Sequence, residues 1–361
     1  MKKILSFFVL IASFSCTNFV NDVDGPIGVN TDSAFNKESE FEALSNGVKL
    51  RFAEAYGLAA FLSDLLSDHL VANPTQTIIE QNLLQIDAGQ IRIDNPSATR
   101  LFRKISELRF LSDDMLRRVE GVTFRNGDFK KEILYTGRLY RGLAAYLYAT
   151  YIGIREKEGG SVMDGGVFLS SSQLYDEAIQ HFELAMEATQ NVGQKKIVFS
   201  VMAKTHFFNQ KLNDALSAAQ NGLQNGDLSL QASFTSASPN PYWKFAGRGN
   251  STFIVNPLLV SKESIAAGLK VEQIASDTTL WVQRKYLDET SAIDFISPQE
   301  NILILSEVRG LLNSVDRELL LFVQGTRLPD QRRANKFHLP AGTWQYFPIP
   351  EEERLRNPNI D

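Results

Sequence analysis

Aromatic and polar side chains that together could bind a sugar are clustered in one short stretch of the sequence. Tyr242, Trp243 and Phe245 lie close together, and Arg248 and Asn250 follow. The C–H face of a sugar ring packs on an aromatic plane, while its hydroxyl groups hydrogen-bond to planar amide or guanidinium groups. The stretch therefore predicts a ligand-binding site formed by Tyr242, Trp243, Arg248 and Asn250. The alternative is that Tyr242 and Trp243 pack on the protein body and hold this segment in place.

A further aromatic residue, Trp281, lies downstream in the segment TTLWVQRKY. An indole ring buries a large area whether it faces a ligand or the core. Packing against the core is therefore the alternative role for this residue. We include Trp281 in the predicted ligand-binding set.

The sequence gives little support for catalysis or for a metal centre. The four histidines form neither an H-E-x-x-H motif nor a partner set with C-x-x-C, so a zinc site is not indicated. The chain also has no G-x-S-x-G nucleophile elbow and no P-loop. We therefore predict a binding protein that is not an enzyme, with no catalytic residue, no metal and no cofactor.

The composition and net charge of the chain limit the classes of molecule that it is expected to bind. Hydrophobic residues make up 43% of the 361 residues and charged residues 22%, which is ordinary for a globular protein. The formal net charge is −5, so the chain lacks the basic footprint of a nucleic-acid-binding protein. We expect no nucleic-acid partner.

The first residues, MKKILSFFVLIASFSCTNF, have the pattern of an export signal. Two lysines precede an apolar run, residues 4–14, that is too short to span a bilayer as a helix. Cys16, the only cysteine, follows a small residue, as in a bacterial lipobox, although Ser13 stands where a lipobox usually has leucine. We predict a signal peptide over residues 1–15 and lipidation of Cys16. The alternative is a plain secretory signal.

The residues after Cys16 are expected to form a tether. Residues 16–40 are polar, contain Gly and Pro, and show no hydrophobic periodicity. Such a stretch behaves as a flexible linker. With a lipid on Cys16, it would hold the folded body beside a membrane that the body itself does not enter.

The body of the chain has a mainly helical pattern. GVKLRFAEAYGLAAFLSDLLSDHL and PSATRLFRKISELRFLSDDML repeat apolar residues at helical spacing, with Ser97 as a plausible cap of the second. Two later segments, LYDEAIQHFELAMEA and KLNDALSAAQNGL, have the spacing of the second helix of a tetratricopeptide repeat. The positions that carry this spacing are Tyr175, Ala178, Phe182 and Ala185 in the first, and Leu212, Ala215, Ala219 and Gly222 in the second.

The helical pattern fades between about residues 226 and 291. This part is rich in Ser, Pro, Gly and Asn and contains the aromatic cluster described above. We interpret it as a long irregular excursion from the helical scaffold, and loops of this length inside a compact domain are usually functional.

The closing residues, TWQYFPIPEEERLRNPNID, carry a more specific resemblance. They read P-I-P, two variable residues, E, three variable residues and N-P, which resembles the ending of the SusD/RagB family. RLYRGLAAYLYATYIG is similar to a helix of that family, and ILSEVRGLL lies where the family has another helix. The matching positions in the ending are Pro348, Ile349, Pro350, Glu353, Asn357 and Pro358.

This resemblance implies a mainly α SusD-like fold: one domain over residues 41–361, built on a tetratricopeptide-like scaffold. It also implies a lipoprotein of the outer membrane that faces the cell exterior. Such a protein would bind oligosaccharides for polysaccharide utilization and pass them to a SusC-like TonB-dependent transporter. Two alternatives stay open: capture of peptides or another nutrient, as in the RagB branch, or a helical-repeat adaptor with no small ligand.

Overall fold

The computed structural model describes residues 37–152, 162–164, 167–248, 251–266, 268–274, 280–313, 336–339 and 343–346. The helices within these residues are α1 (Phe41–Leu66), α2 (Gln81–Asp87), α3 (Pro96–Gly121), α4 (Gly127–Leu147), α5 (Ser171–Ala188), α6 (Val192–Phe208), α7 (Leu212–Asn221), α8 (Pro241–Ala246), α9 (Lys262–Ala266) and α10 (Pro298–Asn313). The strands are β1 (Leu70–Ala72), β2 (Val162–Asp164), β3 (Val167–Leu169), β4 (Leu230–Ala232), β5 (Phe253–Val255), β6 (Val271–Gln273), β7 (Trp281–Gln283), β8 (Ile293–Ile296), β9 (Lys336–Leu339) and β10 (Thr343–Tyr346). A π-helical turn, Tyr148–Ile152, extends α4.

Several of the sequence predictions concern residues outside these ranges. Cys16, with the signal peptide and most of the tether, lies outside the described residues, and so does the P-I-P ending. The end of the predicted tether is described and contacts the domain. The Glu38 carboxylate accepts hydrogen bonds from the backbone N–H groups of Arg125 (2.9 Å) and Asn126 (3.1 Å).

The helical scaffold has the packing that the repeat pattern predicts. Helices α4 and α5 pack on each other, and α6 packs on α7. The predicted small and aromatic positions of α5, among them Ala178 and Phe182, are buried. A Cβ atom at Gly142 of α4 would lie 3.0 Å from the Ala178 carbonyl oxygen, so a glycine is needed for this close approach. The mainly helical fold predicted from sequence is confirmed.

Asparagine–proline pairs begin several of these elements. The side-chain oxygen of Asn95 accepts hydrogen bonds from the backbone N–H groups of Ser97 (2.9 Å) and Ala98 (3.2 Å), and Pro96 occupies the first helical position of α3. The prediction that Ser97 caps this helix is therefore wrong. Asparagine is the stronger cap here because proline follows it, with φ already set for a helix and no N–H left to satisfy.

The excursion is more regular than the sequence pattern suggested. It contains β4 to β7, two short α-helices and a 3₁₀ helix, Pro257–Leu259. Three of its strands join β1 in an antiparallel sheet of order β1-β5-β7-β6. Val255 pairs with both Leu70 and Trp281 in this sheet. Each of these strands has only three residues, too few for apolar and polar side chains to show a recognisable alternation. The prediction of an irregular loop is corrected in this respect.

The start of the aromatic stretch is held against α1 by a buried hydrogen bond. The Tyr242 hydroxyl donates to the Asp64 carboxylate at 2.7 Å, and both residues are buried. The Tyr242 ring also meets Phe61 of α1 edge to face, with 5.9 Å between ring centroids. Burial raises the pKa of the Asp64 carboxyl to about 7, although the Tyr242 hydrogen bond and the charge of Lys285 act to lower it.

The end of the excursion is held by a buried ammonium group. The Lys204 side chain of α6 is fully buried, as is Glu300 of α10, and the two are joined at 2.8 Å. The Lys204 ammonium also donates to the Phe295 carbonyl oxygen of β8 at 2.9 Å and lies 4.5 Å from the centroid of the Phe295 ring. A charge without water needs such partners, so this one lysine connects three elements.

Replacing Lys204 should strongly destabilise the fold. Lys204→Met leaves the Glu300 carboxylate buried and unpaired, so we expect the free energy of unfolding to fall by about 3–5 kcal/mol. Because burial raises the pKa of Glu300, the loss should be smaller at acidic pH, where that carboxyl can be neutral. The double variant Lys204→Met/Glu300→Leu should recover part of the loss. Denaturant unfolding measures all three proteins, and a Lys204→Met variant as stable as the wild type would contradict this account.

The raised pKa of Asp64 predicts a pH dependence of stability. Between the ordinary pKa of about 3.9 for an aspartate and the value of about 7 in the fold, the native protein holds a proton that the unfolded chain has lost. Stability should therefore fall as pH rises through this window, by at most about 1.4 kcal/mol per pH unit, and level off above it. Asp64→Asn keeps an acceptor for Tyr242 and removes the titration. A difference in unfolding free energy between the two proteins that stays constant from pH 4 to pH 8 would refute the assignment.

Candidate functional site

Trp243 lies on α8, a short helix whose start is fixed by its cap. The side-chain oxygen of Asn240 accepts from the N–H groups of Tyr242 (2.8 Å) and Trp243 (3.3 Å). The Asn240 amide donates to the Ser291 carbonyl at 2.7 Å, which ties the cap to the far end of the excursion. The sequence carries a signal for this arrangement, because an asparagine followed by a proline, here Asn240 and Pro241, marks the start of a helix.

The side chains of α8 divide between the core and the surface. Phe245 stacks on Phe61 of α1, with ring centroids 5.1 Å apart, and packs against the core. Lys244 is exposed, and Trp243 is partly exposed. Among the described residues Trp243 does not belong to the set that packs on the core cluster, unlike Phe245 and Trp281. Trp243 is therefore the aromatic side chain of this stretch that a ligand could reach.

The chain bends at Gly247, the residue directly after α8, in close contact with the Trp243 backbone. A Cβ atom at Gly247 would lie 2.9 Å from the Trp243 Cα atom and 2.8 Å from the Gln283 amide nitrogen, closer than a real side chain tolerates. The Arg248 guanidinium then lies over the indole, 4.0 Å from the ring centroid. Gly247 was not singled out from the sequence, and an isolated glycine gives no signal for such a close approach.

The backbone of Arg248 is fixed by hydrogen bonds to a buried serine. The Arg248 N–H donates to the Ser251 hydroxyl at 2.7 Å, and the Ser251 N–H donates to the Arg248 carbonyl at 3.0 Å. Ser251 is buried, and its own carbonyl accepts from the Asn73 side chain at 2.8 Å. The Arg248 side chain is exposed, while its backbone is fixed by these hydrogen bonds.

A second arginine, Arg284, stabilises the backbone at Gly247. Arg284 donates to the Gly247 carbonyl oxygen at 2.7 Å and forms an ion pair with Glu272 of β6. Arg284 thus serves the local structure of the turn, and its charge is offset by a carboxylate. It was not among the residues predicted from sequence, since the two ends of this contact are far apart along the chain.

Tyr242 does not belong to the exposed surface, which corrects its prediction as a ligand contact. Its ring is 3% exposed, and its hydroxyl is bonded to Asp64. Burial raises its pKa well above the ordinary value, and the nearby Asp64 acts in the same direction. The sequence cannot separate Tyr242 from Trp243 because the two are neighbours, and only the rotation of α8 sends one inward and the other outward.

The remaining predicted contacts are placed as follows. Trp281 lies on β7, paired with Val255 and Gln273, and its partly buried side chain packs against the core. Trp281 therefore takes the alternative role considered for it, which is packing against the core. Asn250 lies outside the described residues. Of the predicted set, the structure brings Trp243 and Arg248 together.

Other features of the described residues do not point to chemistry. No group of three or more His, Cys, Asp and Glu side chains that could hold a metal ion occurs in this part of the chain. No helix within it is long and apolar enough to cross a bilayer. A surface hollow of about 620 Å³ lies beside Glu38 and Arg125, where the predicted tether meets the domain, and none of the predicted ligand contacts lines it.

Comparison with known proteins shows what this architecture is similar to. No family model and no curated protein sequence matches the chain. Among solved structures, a laminarin-binding SusD-like protein superposes with a TM-score of 0.62 at 13% identity, over 81% of this chain and 85% of that one. A SusD superfamily protein from Bacteroides fragilis gives 0.61 at 13% identity, over 91% and 99%.

A third similar structure is surface glycan-binding protein A from Bacteroides uniformis, with a TM-score of 0.57, 13% identity and 79% coverage of both chains. Identities at this level establish likeness of fold. The superpositions extend over most of each chain, so they concern the whole architecture and not one helical repeat. The chain adopts the SusD-like fold that its sequence resemblance predicted.

Proposed function

We propose that this protein is a member of the SusD/RagB family that captures oligosaccharides at the cell surface. The observation that carries the proposal is the pairing of Trp243 with Arg248 outside the core, on a backbone fixed by Asn240 and Ser251. An aromatic plane and a guanidinium are the two kinds of group that a sugar ring needs. The names of two similar structures, a laminarin-binding protein and a surface glycan-binding protein, support this ligand class.

In the same proposal, the protein is an outer-membrane lipoprotein anchored through Cys16. It faces the exterior and hands its ligand to a SusC-like TonB-dependent transporter, without catalysis of its own. The sequence supports the anchor through the position of its single cysteine after an apolar run. The SusD-like fold supports the transporter partner. Peptide capture and a pure adaptor role are the competing outcomes of the tests below.

Trp243→Ala should reduce saccharide binding and leave the fold nearly unchanged. We expect the affinity for the tightest binder in an oligosaccharide panel to fall at least about 10-fold, equivalent to 1.4 kcal/mol. The free energy of unfolding should change by less than about 1 kcal/mol, since the ring is partly exposed and stands outside the core. Calorimetric titration and denaturant unfolding on the same variant measure both quantities.

Tyr242→Phe is the matched control, one residue away. It removes the hydroxyl that bonds to Asp64, so it should lower stability by about 1–3 kcal/mol and keep the affinity. If Trp243→Ala instead loses about 3–5 kcal/mol of stability, as large core truncations do, and binds as the wild type, Trp243 only holds the segment in place. Tight peptide binding with no saccharide binding would favour the RagB-like alternative.

The membrane part of the proposal predicts a complex that survives mild detergent. The wild-type protein should co-purify with a β-barrel transporter and carry a lipid, because its anchor keeps it in the same membrane as that partner. Cys16→Ala should abolish lipid labelling and release the protein from membranes. Recovery of soluble partners alone would favour an adaptor, and a Cys16→Ala protein that stays membrane-bound with a cleaved N-terminus would overturn the anchor.

A further inference from the structure

We propose that the saccharide bound at Trp243 is acidic, and that its carboxylate is held by the edge of the Arg248 guanidinium. The inference rests on the proposed function and specifies its ligand class. It follows from how Arg248 is placed. The guanidinium carbon lies 4.0 Å from the centroid of the Trp243 ring, which is close enough for the planar group to stack on the indole, and a stacked guanidinium turns its N–H groups outward at the rim.

The stacked position leaves the hydrogen-bonding capacity of Arg248 unused. Its carbon is 4.0 Å from the centroid of the Trp243 ring, and the side chain is exposed. Among the residues that the structure describes, Arg248 makes its hydrogen bonds through its backbone, and none of them engages its guanidinium. Five N–H donors in a planar fork match the two oxygens of a carboxylate better than they match single hydroxyl groups.

The neighbouring charges favour an anion at this position. The other arginine of the turn, Arg284, is paired with Glu272, so that carboxylate is already engaged. Arg248 thus adds positive charge beside the indole, which attracts an acidic ligand and does little for a neutral one.

The stack also limits how a neutral sugar could use the ring. Arg248 covers one face of the indole, so a sugar that packs on that face must first displace the guanidinium and lose the cation–π contact. A ligand that bonds to the rim of the guanidinium keeps this contact. The close packing at Gly247 and the hydrogen bonds to Ser251 fix the backbone of Arg248 before a ligand binds. Less conformational entropy is therefore lost on binding.

The test compares acidic oligosaccharides with their own methyl esters, which have the same sugars without the charge. Suitable pairs are oligogalacturonate, oligomannuronate and sialyllactose, each with its ester, titrated calorimetrically into the full-length protein. We expect at least one acid to bind about 10- to 100-fold more tightly than its ester, the range of a charge-assisted hydrogen bond. This preference should weaken as salt is raised.

Three variants assign the preference to one side chain. Arg248→Gln should abolish the preference for the acid over the ester, and Arg248→Lys, which keeps the charge without the fork, should retain part of it. Arg100→Gln, which removes the same charge from an exposed position of α3, should leave the preference unchanged. An acid preference that survives in Arg248→Gln would place the carboxylate elsewhere and overturn the inference.

The outcome also separates this inference from the proposed function. If the acids bind no better than their esters, while neutral or esterified oligosaccharides bind in a way that needs Trp243, the inference fails and saccharide capture stands. If no saccharide in the panel binds at all, both fail together. Acid preference that is lost in both Arg248→Gln and Trp243→Ala supports the stack as the recognition element.

Discussion

The fold depends on the buried ammonium group of Lys204, which needs partners within the protein because water does not reach it. Lys204 is fully buried and has partners in two other elements: the Glu300 carboxylate and the Phe295 carbonyl. A charge in this position is tolerated only if its partners stay in place. The constraint therefore fixes where β8 and α10 return to the helical scaffold. The Phe295 ring, which also meets Tyr56 at 5.0 Å between centroids, fills the apolar space around it.

The candidate site lies in the excursion, the segment that comes directly before β8. Within the excursion, Tyr242 is held to α1 by its hydrogen bond to Asp64, and just after the excursion the chain returns to the scaffold at Phe295. The Asn240 side chain joins the start of α8 directly to the end of the excursion through the Ser291 carbonyl. Because these contacts fix the excursion to the helical scaffold, the partly exposed Trp243 and the exposed Arg248 occupy defined positions on the surface. In this way a helical scaffold can position a candidate binding site that none of its long helices contains.

The parts of the structure that the sequence predicted are those with a long repeating signal. The packed positions of α5, such as Ala178 and Phe182, recur over several turns, so a sequence pattern is enough to place them in the core. The short strands of the excursion carry no such signal, and their pairing depends on contacts between residues far apart, such as Leu70 with Val255. Tyr242 and Trp243 show the limit most clearly. They are adjacent and chemically similar, and only the packing of α8 on α1 decides which one faces the core.

The most direct test of the account is the structure of the protein with its tightest saccharide bound. We expect a sugar against the surface formed by Trp243 and Arg248, with an oxygen of the ligand within hydrogen-bonding distance, about 3 Å, of the guanidinium. The positions of Tyr242 and Asp64 should be unchanged by binding. A saccharide bound elsewhere, for example in the hollow beside Glu38 and Arg125, with Trp243 and Arg248 still stacked and free of ligand, would contradict it.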